Sequence, residues 1–579
     1  MDTDKKFKQP NNPTDEERHR MMKIALEEAN HPEDYENLLE LLNPPKDITT
    51  IVEPDRCEGI KIGIIGGGLA GLSSAFELRK LGFDITIFET EDRRIGGRVY
   101  THYFDRDKKL YGELGAMRIP ASHGTTWHYI NLFGLDTIPF VQNNENTLIY
   151  IRGKHARNDP QGLSVMKNIY PEFNLTEMER SSPWQKIVGN ALATPFLKVD
   201  PELRKELLQN KEHYSTPIRA LGSYSIREVM KKMGVSEGAI EMISGIIPFL
   251  GAFYNNSYSE NMQEEYTVDS AFRYAIVGGA VNLPLAFYRS LMSKTPKEYS
   301  ELKNKNIKRV SWRCGKTVTG IYKEDIGNKV TLKYIDERSA EVGKQIFDFV
   351  ICTIPFSSLR NVEVKPYFTP EKMQSIKEVY YVSSQKTVFM CNERFWEVGD
   401  AKNRIVGGGS STDLPIQTIW YPCCPSVDSN IVLNNKRVVS KKHSFYDAGV
   451  LLASYNLGQD ALRLGNLPEK TRIENIKRQV ELVHRLKPGY LDSVVDDYKS
   501  VLWDSEKGFY GGFCYFMPEQ QQLFSAAMIK PEYDNRVYFA GEHIGLAHGW
   551  IEASVNTGMK AANAIAEYCK NILVSHDDI

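Results

Sequence analysis

The sequence predicts an α/β protein with a Rossmann-like nucleotide-binding domain, a second domain of α+β type and an inserted helical domain. The first observation is a strand–helix–strand pattern at Lys61–Ile65, Leu69–Leu81 and Asp84–Glu89. The second is a run of helical patterns between residues 148 and 260. The third is the return of a strand and a long helix after residue 535. Two parts of one nucleotide-binding domain are therefore separated by other material.

Composition and charge exclude several classes of protein. The 579 residues include 72 basic and 74 acidic side chains, a net charge of −2, which gives no electrostatic reason to expect nucleic acid or an anionic membrane as a partner. No apolar run is long enough to span a bilayer, and the first twenty residues have no apolar core of a secretory signal. The 8 cysteines have no metal-ligand spacing. We expect a cytoplasmic protein with no metal site.

A glycine-rich turn follows the first strand of the pattern. Its glycines have the spacing Gly66-x-Gly68-x-x-Gly71, with Leu69 and Ala70 between them. The first allows a tight turn, the second lets a pyrophosphate approach the backbone, and the third lets helix and strand pack closely. The helix that follows presents its unpaired N–H groups to the phosphates. An acid at the end of the next strand, Glu89, is placed to bind ribose hydroxyls, so the segment predicts a dinucleotide site.

Two further segments indicate which dinucleotide is bound. Gly96-Gly97-Arg98 follows the ribose-binding acid by a few residues, and Gly541-Glu542 follows a strand near the other end of the chain. Together with the glycine turn, they resemble the flavin amine oxidases. In that family the first segment contacts the FAD pyrophosphate, and the glutamate lies near the ribityl phosphate. The resemblance implies non-covalently bound FAD.

The resemblance also suggests domain boundaries. Residues 1–59 form an N-terminal helical extension that packs on the body, and residues 148–260 form the mainly helical insertion. The FAD-binding domain takes residues 60–147, then 261–345 with a connecting sheet, and finally 501–579 with the C-terminal helix. The α+β substrate-binding domain takes residues 346–500.

A third segment narrows the resemblance to the L-amino acid oxidase branch, which includes the snake venom enzymes. The resemblance extends over about residues 30 to 570 of this chain. Gly115-Ala116-Met117-Arg118 continues into Ile-Pro, similar to the G-x-M-R-x-P of that branch. There the first three residues lie against the flavin, and the arginine binds the substrate α-carboxylate. A planar guanidinium suits a carboxylate because the two groups form parallel charge-assisted hydrogen bonds.

Other segments in the same order carry further roles by resemblance. The resemblance implies that Tyr421, which precedes a proline, binds the substrate carboxylate together with the arginine. It also implies that Lys386, ten residues before the Trp of a Phe-Trp pair, lies near flavin N5 and contacts it through a water. His548-Gly549-Trp550-Ile551 begins a helix whose N-terminus approaches the flavin. The expected catalytic residues are Lys386, Arg118, Tyr421 and Trp550. The expected substrate contacts are Arg118, Tyr421, Gly549, Trp550, Phe513 and Trp503.

The expected cofactor contacts come from both ends of the chain. They are Gly66, Gly68, Leu69, Ala70, Gly71, Glu89, Gly97, Arg98, Gly115, Ala116, Met117, Arg118, Val318, Gly541, Glu542, Gly549, Trp550, Ile551 and Ser554.

One departure from the venom enzymes bears on mechanism and specificity. Those enzymes carry a histidine, proposed as a base, in a region that here reads Asn261–Tyr266 and contains no histidine. A base role therefore falls to Lys386 and its water, or the substrate binds already deprotonated. Glu264 and Glu265 in this region favour a basic substrate side chain if they face the pocket.

The resemblance implies a reaction and a set of partners. We expect oxidation of an L-amino acid by O2 to a 2-oxo acid, ammonia and hydrogen peroxide, and a homodimer. Two alternatives stay open: an L-amino acid 2-monooxygenase, which would release an amide, and a monoamine or polyamine oxidase. A flavin-binding protein without catalysis is a further, different class.

Overall fold

Five parallel strands form the sheet that carries the glycine turn in the computed structural model, which describes residues 7–299, 302, 307–422, 431–433, 436–438, 446–545 and 547–577. Their order across the sheet is Ser311–Cys314, Asp84–Glu89, Lys61–Ile65, Phe349–Cys352 and Val537–Phe539. Strands from both ends of the chain are therefore neighbours. The central strand is buried from its second residue onward, as expected for a parallel sheet that helices cover on both faces.

Two helices from opposite ends of the chain pack together on this sheet. Leu69–Arg79 is buried along its whole length, and the C-terminal helix Ile551–Asp577 lies against it. The first helix ends two residues before the predicted boundary at Leu81. Asn282–Met292 and Gly124–Phe133 pack beside them. One apolar core joins these elements, so the two halves fold as one domain.

The remaining strands form a large antiparallel platform and several smaller sheets. The seven-stranded platform has the order Val495–Leu502, Ser384–Cys391, Gly449–Leu457, Thr418–Trp420, Gly409–Thr412, Leu148–Ile151 and Lys154–Arg157, with one parallel pair between the fifth and sixth strands. A four-stranded sheet has the order Val342–Phe347, Val330–Asp336, Lys316–Lys323 and Glu363–Lys365. Three short strands pair in the order Ile119–Pro120, Arg273–Ile276 and Thr137–Pro139. Two-stranded pairs are Thr101–Tyr103 with Tyr111–Glu113, Tyr381–Val382 with Phe513–Cys514, and Ile431–Leu433 with Lys436–Val438.

The helical group packs around its own apolar core. Its α-helices are Leu163–Asn168, Glu177–Arg180, Trp184–Leu197, Pro201–Arg204, Thr216–Gly222, Ile226–Lys232, Glu237–Ile246, Leu250–Phe253 and Tyr258–Tyr266, with 3₁₀ turns at Tyr170–Glu172 and Lys205–Leu208. The N-terminal helices Asp15–Glu28 and Tyr35–Leu42, with 3₁₀ turns at Pro32–Asp34 and Ile48–Thr50, bury Leu26 and Leu38 against the body. The other helices are Phe356–Leu359, Pro370–Glu378, Gln459–Gly465, Glu469–His484 and Gln520–Ile529, with 3₁₀ turns at Phe395–Glu397 and Tyr490–Asp492.

Three predicted domain boundaries differ from the structure. The first two strands of the predicted helical insertion, within residues 148–157, belong to the seven-stranded platform. The helical group ends at Tyr266 rather than at residue 260. Phe349–Cys352, which the predicted boundaries assign to the substrate-binding domain, pairs with the strand before the glycine turn. Local patterns identify such strands, but tertiary pairing decides which sheet they join. No helix in the described ranges is long and apolar enough to cross a membrane.

Candidate active site

A cavity of about 1350 Å³ runs from the glycine turn to the helical group. Of the predicted site residues, all except Gly71 and Tyr421 line it. The structure therefore brings segments from both ends of the chain and from the platform to one continuous space. Among the described residues, no group of three metal-binding side chains comes together anywhere in the fold.

The glycine turn has the backbone that the sequence requires. Gly66 has φ +109°, and a Cβ there would lie 2.8 Å from the Thr353 hydroxyl oxygen. Gly68 faces open space, which allows a phosphate to approach its backbone. Gly71 lies behind the turn, where a Cβ would overlap the Gly66 carbonyl. Its role is therefore close helix–strand packing and not cofactor contact, which corrects its place among the predicted contacts.

Glu89 is held at the cavity wall by backbone donors. Its carboxylate accepts hydrogen bonds from the Gly67 N–H at 2.8 Å and the Glu91 N–H at 2.9 Å. Burial raises the pKa of this carboxyl, although the two hydrogen bonds oppose the rise. Each carboxylate oxygen retains a lone pair for another donor. The position fits the ribose hydroxyls of a dinucleotide.

Arg98 and Glu542 join the two halves of the predicted cofactor site. The guanidinium donates to the Glu542 carboxylate at 2.8 Å although the two residues are 444 positions apart. Glu542 also accepts from the Gly549 N–H at 3.1 Å. Gly115 packs against the Arg98 carbonyl so closely that a Cβ would overlap it. These contacts together fix four of the predicted cofactor-binding segments relative to one another.

The C-terminal helix directs its N-terminus into the cavity. Ile551 and Ser554 line the cavity, and Gly549 just before the helix has φ +81°. Glu552 in the first turn points away, since its carboxylate accepts from the N–H groups of Thr125 and Thr126 at 2.9 and 2.7 Å. The positive end of the helix dipole is therefore open to negative charge on a bound group.

Lys386 is a buried lysine in the wall of the cavity. Its Nζ donates to the Gly115 carbonyl at 2.7 Å and lies 4.1 Å from the centre of the Tyr455 ring. Burial, reinforced by the positive charge of Arg118 and opposed by Glu113, lowers the pKa of Lys386 to about 7. Both the ammonium and the amine are therefore populated near neutral pH. The group can hold a water and exchange a proton with it.

Arg118 presents a guanidinium to the same space. It donates to Gln142 Oε1 at 3.2 Å and lies over the Trp420 ring at 4.9 Å. Its side chain has no acidic partner among the residues the structure describes. Burial and the neighbouring Arg273 lower the pKa of Arg118 to about 10, so it stays charged. A half-buried guanidinium in this position is available to an anionic group of a ligand.

Tyr421 does not join that arginine, and we correct the predicted role. Its hydroxyl hydrogen-bonds Ser410 and His484, each at 2.8 Å, on the far side of the platform. The preceding residue, Trp420, faces the cavity because successive side chains of a strand point to opposite faces. The hydroxyl that lies near Arg118 belongs to Tyr455, which also lines the cavity.

The predicted wall residues surround these charges. Trp503 donates from its indole N–H to the Leu114 carbonyl at 3.0 Å, and Phe513 packs 6.2 Å from Tyr515 between ring centres. Val318 lines the opposite end with the four-stranded sheet. No described cysteine lines the cavity.

Two charged residues of the cavity lie beside Trp550. The sequence suggested a role for Glu264 only on the condition that it faces the pocket, and it did not indicate Arg273. Glu264 accepts a hydrogen bond from the Trp550 indole N–H at 3.1 Å, and Arg273 lies over the Trp550 ring at 5.2 Å. The sequence signal for Glu264 was its place in a segment aligned with a known pocket. Arg273 carries no such signal, because a single arginine on a short strand is ordinary.

Fold and site together define the class of protein. The chain matches the flavin containing amine oxidoreductases over residues 69–566, and it belongs to that family. An L-amino-acid oxidase of Sistrurus catenatus edwardsii is 28% identical over 566 residues, covering 96% of this chain and 95% of that protein. The L-amino acid oxidase bordonein-L of Crotalus durissus terrificus is 28% identical over 563 residues, covering 96% and 95%.

Solved structures confirm the predicted fold class. A putrescine oxidase bound to putrescine superposes with a TM-score of 0.62 at 14% identity, covering 87% of this chain and 98% of that one. Cyclohexylamine oxidase from Brevibacterium oxydans gives a TM-score of 0.60 at 16% identity, covering 88% and 99%. The α/β architecture described above is that of the flavin amine oxidases.

Proposed function

We propose that the protein is an FAD-dependent L-amino acid oxidase. The observation that supports this most directly is Arg118, a half-buried cation that faces the cavity without an acidic partner among the described residues. An amine substrate offers no anion to this position, whereas the α-carboxylate of an amino acid does. The named relatives oxidise amino acids, which agrees with that chemistry.

The cofactor we infer is FAD, bound without a covalent link. The open approach to Gly68, the acid at Glu89 and the Arg98–Glu542 pair fit the two phosphates and the ribose of a dinucleotide. The dipole end at Ile551 fits the end of the flavin that gains negative charge on reduction. The absence of a cysteine from the described cavity lining agrees with this inference.

The reaction consumes one L-amino acid, one O2 and one water, and yields one 2-oxo acid, one ammonium ion and one hydrogen peroxide. FAD held by Gly68, Glu89, Arg98 and Glu542 would supply the two-electron oxidation of the substrate, with O2 as the final acceptor. The protein supplies position and charge. Arg118 fixes the carboxylate and so directs the Cα–H bond. The amine form of Lys386 accepts a proton through water from the substrate ammonium, which must lose one before the C–N bond is oxidised.

Aromatic side chains complete the environment of the substrate. Trp550, Phe513 and Trp503 line the cavity around the carboxylate anchor and exclude bulk water. The Gly549 carbonyl lies at the start of the C-terminal helix, where an acceptor for the substrate amine is needed.

Anaerobic titration of the holoenzyme tests the proposal. L-Amino acids should bleach the oxidised flavin spectrum, and the corresponding decarboxylated amines should not. Bleaching by amines alone would establish an amine oxidase and reject our assignment. Product analysis after aerobic turnover distinguishes the oxidase, which yields 2-oxo acid and peroxide, from a 2-monooxygenase, which yields amide and carbon dioxide.

A spectrum that neither class bleaches would establish a flavin protein without this catalysis. The homodimer and the cytoplasmic location expected from the sequence stay predictions, which sedimentation analysis and cell fractionation test.

A further inference from the structure

Two opposite charges flank the indole of Trp550 inside the cavity. Arg273 lies over the face of the ring at 5.2 Å, and Glu264 accepts from the ring N–H at 3.1 Å. Each charge influences the pKa of the other, but the two side chains form no ion pair with each other. The indole therefore contacts a cation at its face and an anion at its edge, and all three residues line the cavity.

Arg273 is only 6% exposed and has few hydrogen bonds for a buried guanidinium. Its Nε donates to the Asp269 carbonyl at 2.6 Å, and its two terminal nitrogens have no acceptor among the described residues. Glu264 has the indole N–H as its single hydrogen-bond donor in the same ranges. Unmet groups of this kind in a closed site cost free energy unless a ligand satisfies them.

The chemistry of the ligand group follows from this pair. An ammonium or guanidinium side chain would satisfy Glu264 but bring a second cation to Arg273. A carboxylate would satisfy Arg273 but approach Glu264, and an apolar side chain would satisfy neither. A carboxamide carries an acceptor oxygen and a donor nitrogen on one neutral group. It meets both charges and adds no net charge to the cavity.

We propose that the preferred substrates are L-amino acids with a carboxamide side chain, L-glutamine or L-asparagine, whose oxygen accepts from Arg273 and whose nitrogen donates to Glu264. The proposal rests on the proposed function and specifies its substrate class. It replaces the expectation of a basic side chain, which considered Glu264 and Glu265 without Arg273.

Arg118 immediately precedes the short strand Ile119–Pro120, which pairs with the strand that begins at Arg273. Pro120, two residues after Arg118, is opposite Arg273 in the three-stranded sheet. Burial raises the pKa of Glu264 to about 7, so the ionised acceptor is available at and above neutral pH. One small sheet therefore fixes both ends of the substrate relative to each other.

The test compares kcat/KM for peroxide formation by the holoenzyme on L-glutamine, L-asparagine, L-glutamate, L-lysine, L-methionine and L-leucine. We expect one of the two amides to exceed every charged and apolar substrate by about 10-fold or more, the value of one hydrogen bond to a charged group. Glu264→Gln should shift selectivity toward L-glutamate, and Arg273→Met should shift it toward L-lysine. Glu27→Gln, at an exposed residue of the helix Asp15–Glu28 that does not line the cavity, is the matched control and should keep the order of substrates.

Opposite shifts in the two variants cannot come from a general loss of structure. A wild-type preference for apolar or singly charged side chains would overturn the inference and leave the oxidase intact. Equal losses on all substrates in both variants would also overturn it. Absence of peroxide and of flavin bleaching with every L-amino acid would instead reject the proposed function. Because the wild-type ranking decides on its own, a variant that fails to bind flavin does not prevent a result.

Discussion

Replacement of Arg118 by methionine removes a charge while it keeps an unbranched side chain of similar reach. In the wild type the guanidinium has one neutral hydrogen-bond partner, Gln142, so its charge is available to a ligand. Loss of one partner from a buried, hydrogen-bonded charge pair costs about 2–5 kcal/mol. At about 1.4 kcal/mol per factor of ten, kcat/KM for an L-amino acid should fall by about 30-fold to about 4,000-fold.

A second readout comes from the neighbouring amine. The positive charge of Arg118 helps to lower the pKa of Lys386, so its removal should raise that pKa above about 7. The pH dependence of kcat/KM should therefore move to higher pH in the variant.

The assay is peroxide formation at several pH values, with flavin content measured in each preparation. Arg219→Met is the control, because this arginine is exposed on the helix Thr216–Gly222, away from the cavity. A change of kcat/KM below about threefold in Arg118→Met, with full flavin content, would refute the assignment of Arg118 to the carboxylate.

Three further predictions follow from the same contacts. Because burial holds the pKa of Lys386 near 7, the amine fraction and kcat/KM should rise with pH through about 7. In Lys386→Met, pH–rate profiles should show no such rise and a rate lower by about 100-fold or more. Gly71→Ala should lower flavin content and thermal stability because its Cβ overlaps the turn, whereas Gly189→Ala, with nothing within 4 Å, should raise helix stability by up to about 1 kcal/mol. Tyr421→Phe should leave KM unchanged and lower the free energy of unfolding, measured by denaturation, by about 1–2 kcal/mol. Tyr455→Phe should instead change kcat/KM. Equal effects of the two variants on KM would contradict the placement of both hydroxyls.

The parts of the fold that the sequence predicts are those set by local backbone constraints. The glycine turn is predictable because only glycine adopts the positive φ of Gly66 and allows the close packing at Gly71. Apolar runs predicted the strands Lys61–Ile65 and Asp84–Glu89 with the bounds that the structure has. The sheet that Phe349–Cys352 joins depends on pairing with a strand almost 290 positions earlier, which no local pattern records.

The same limit separates the predicted from the missed site residues. Trp420 faces the cavity, whereas the next residue, Tyr421, faces the far side of the platform. A shift of one residue along a strand moves the side chain to the opposite face of the sheet. Arg273 and Glu264 are brought together by their contacts with the indole of Trp550, which lies 286 positions beyond Glu264 in the chain. Neither residue belongs to a motif, so their pairing is visible in three dimensions alone.

The ion pair between Arg98 and Glu542 also sets an order of events during synthesis. A ribosome makes the glycine turn early, but the carboxylate that fixes Arg98 is added 444 residues later. The central sheet is also incomplete until late in synthesis, because its edge strand Val537–Phe539 comes just before that carboxylate. A nascent chain can therefore expose the phosphate-binding turn long before it can retain the cofactor. Flavin binding that depends on this pair therefore requires translation at least as far as Glu542, and a chain that ends before Val537 would lack both the last strand and the carboxylate.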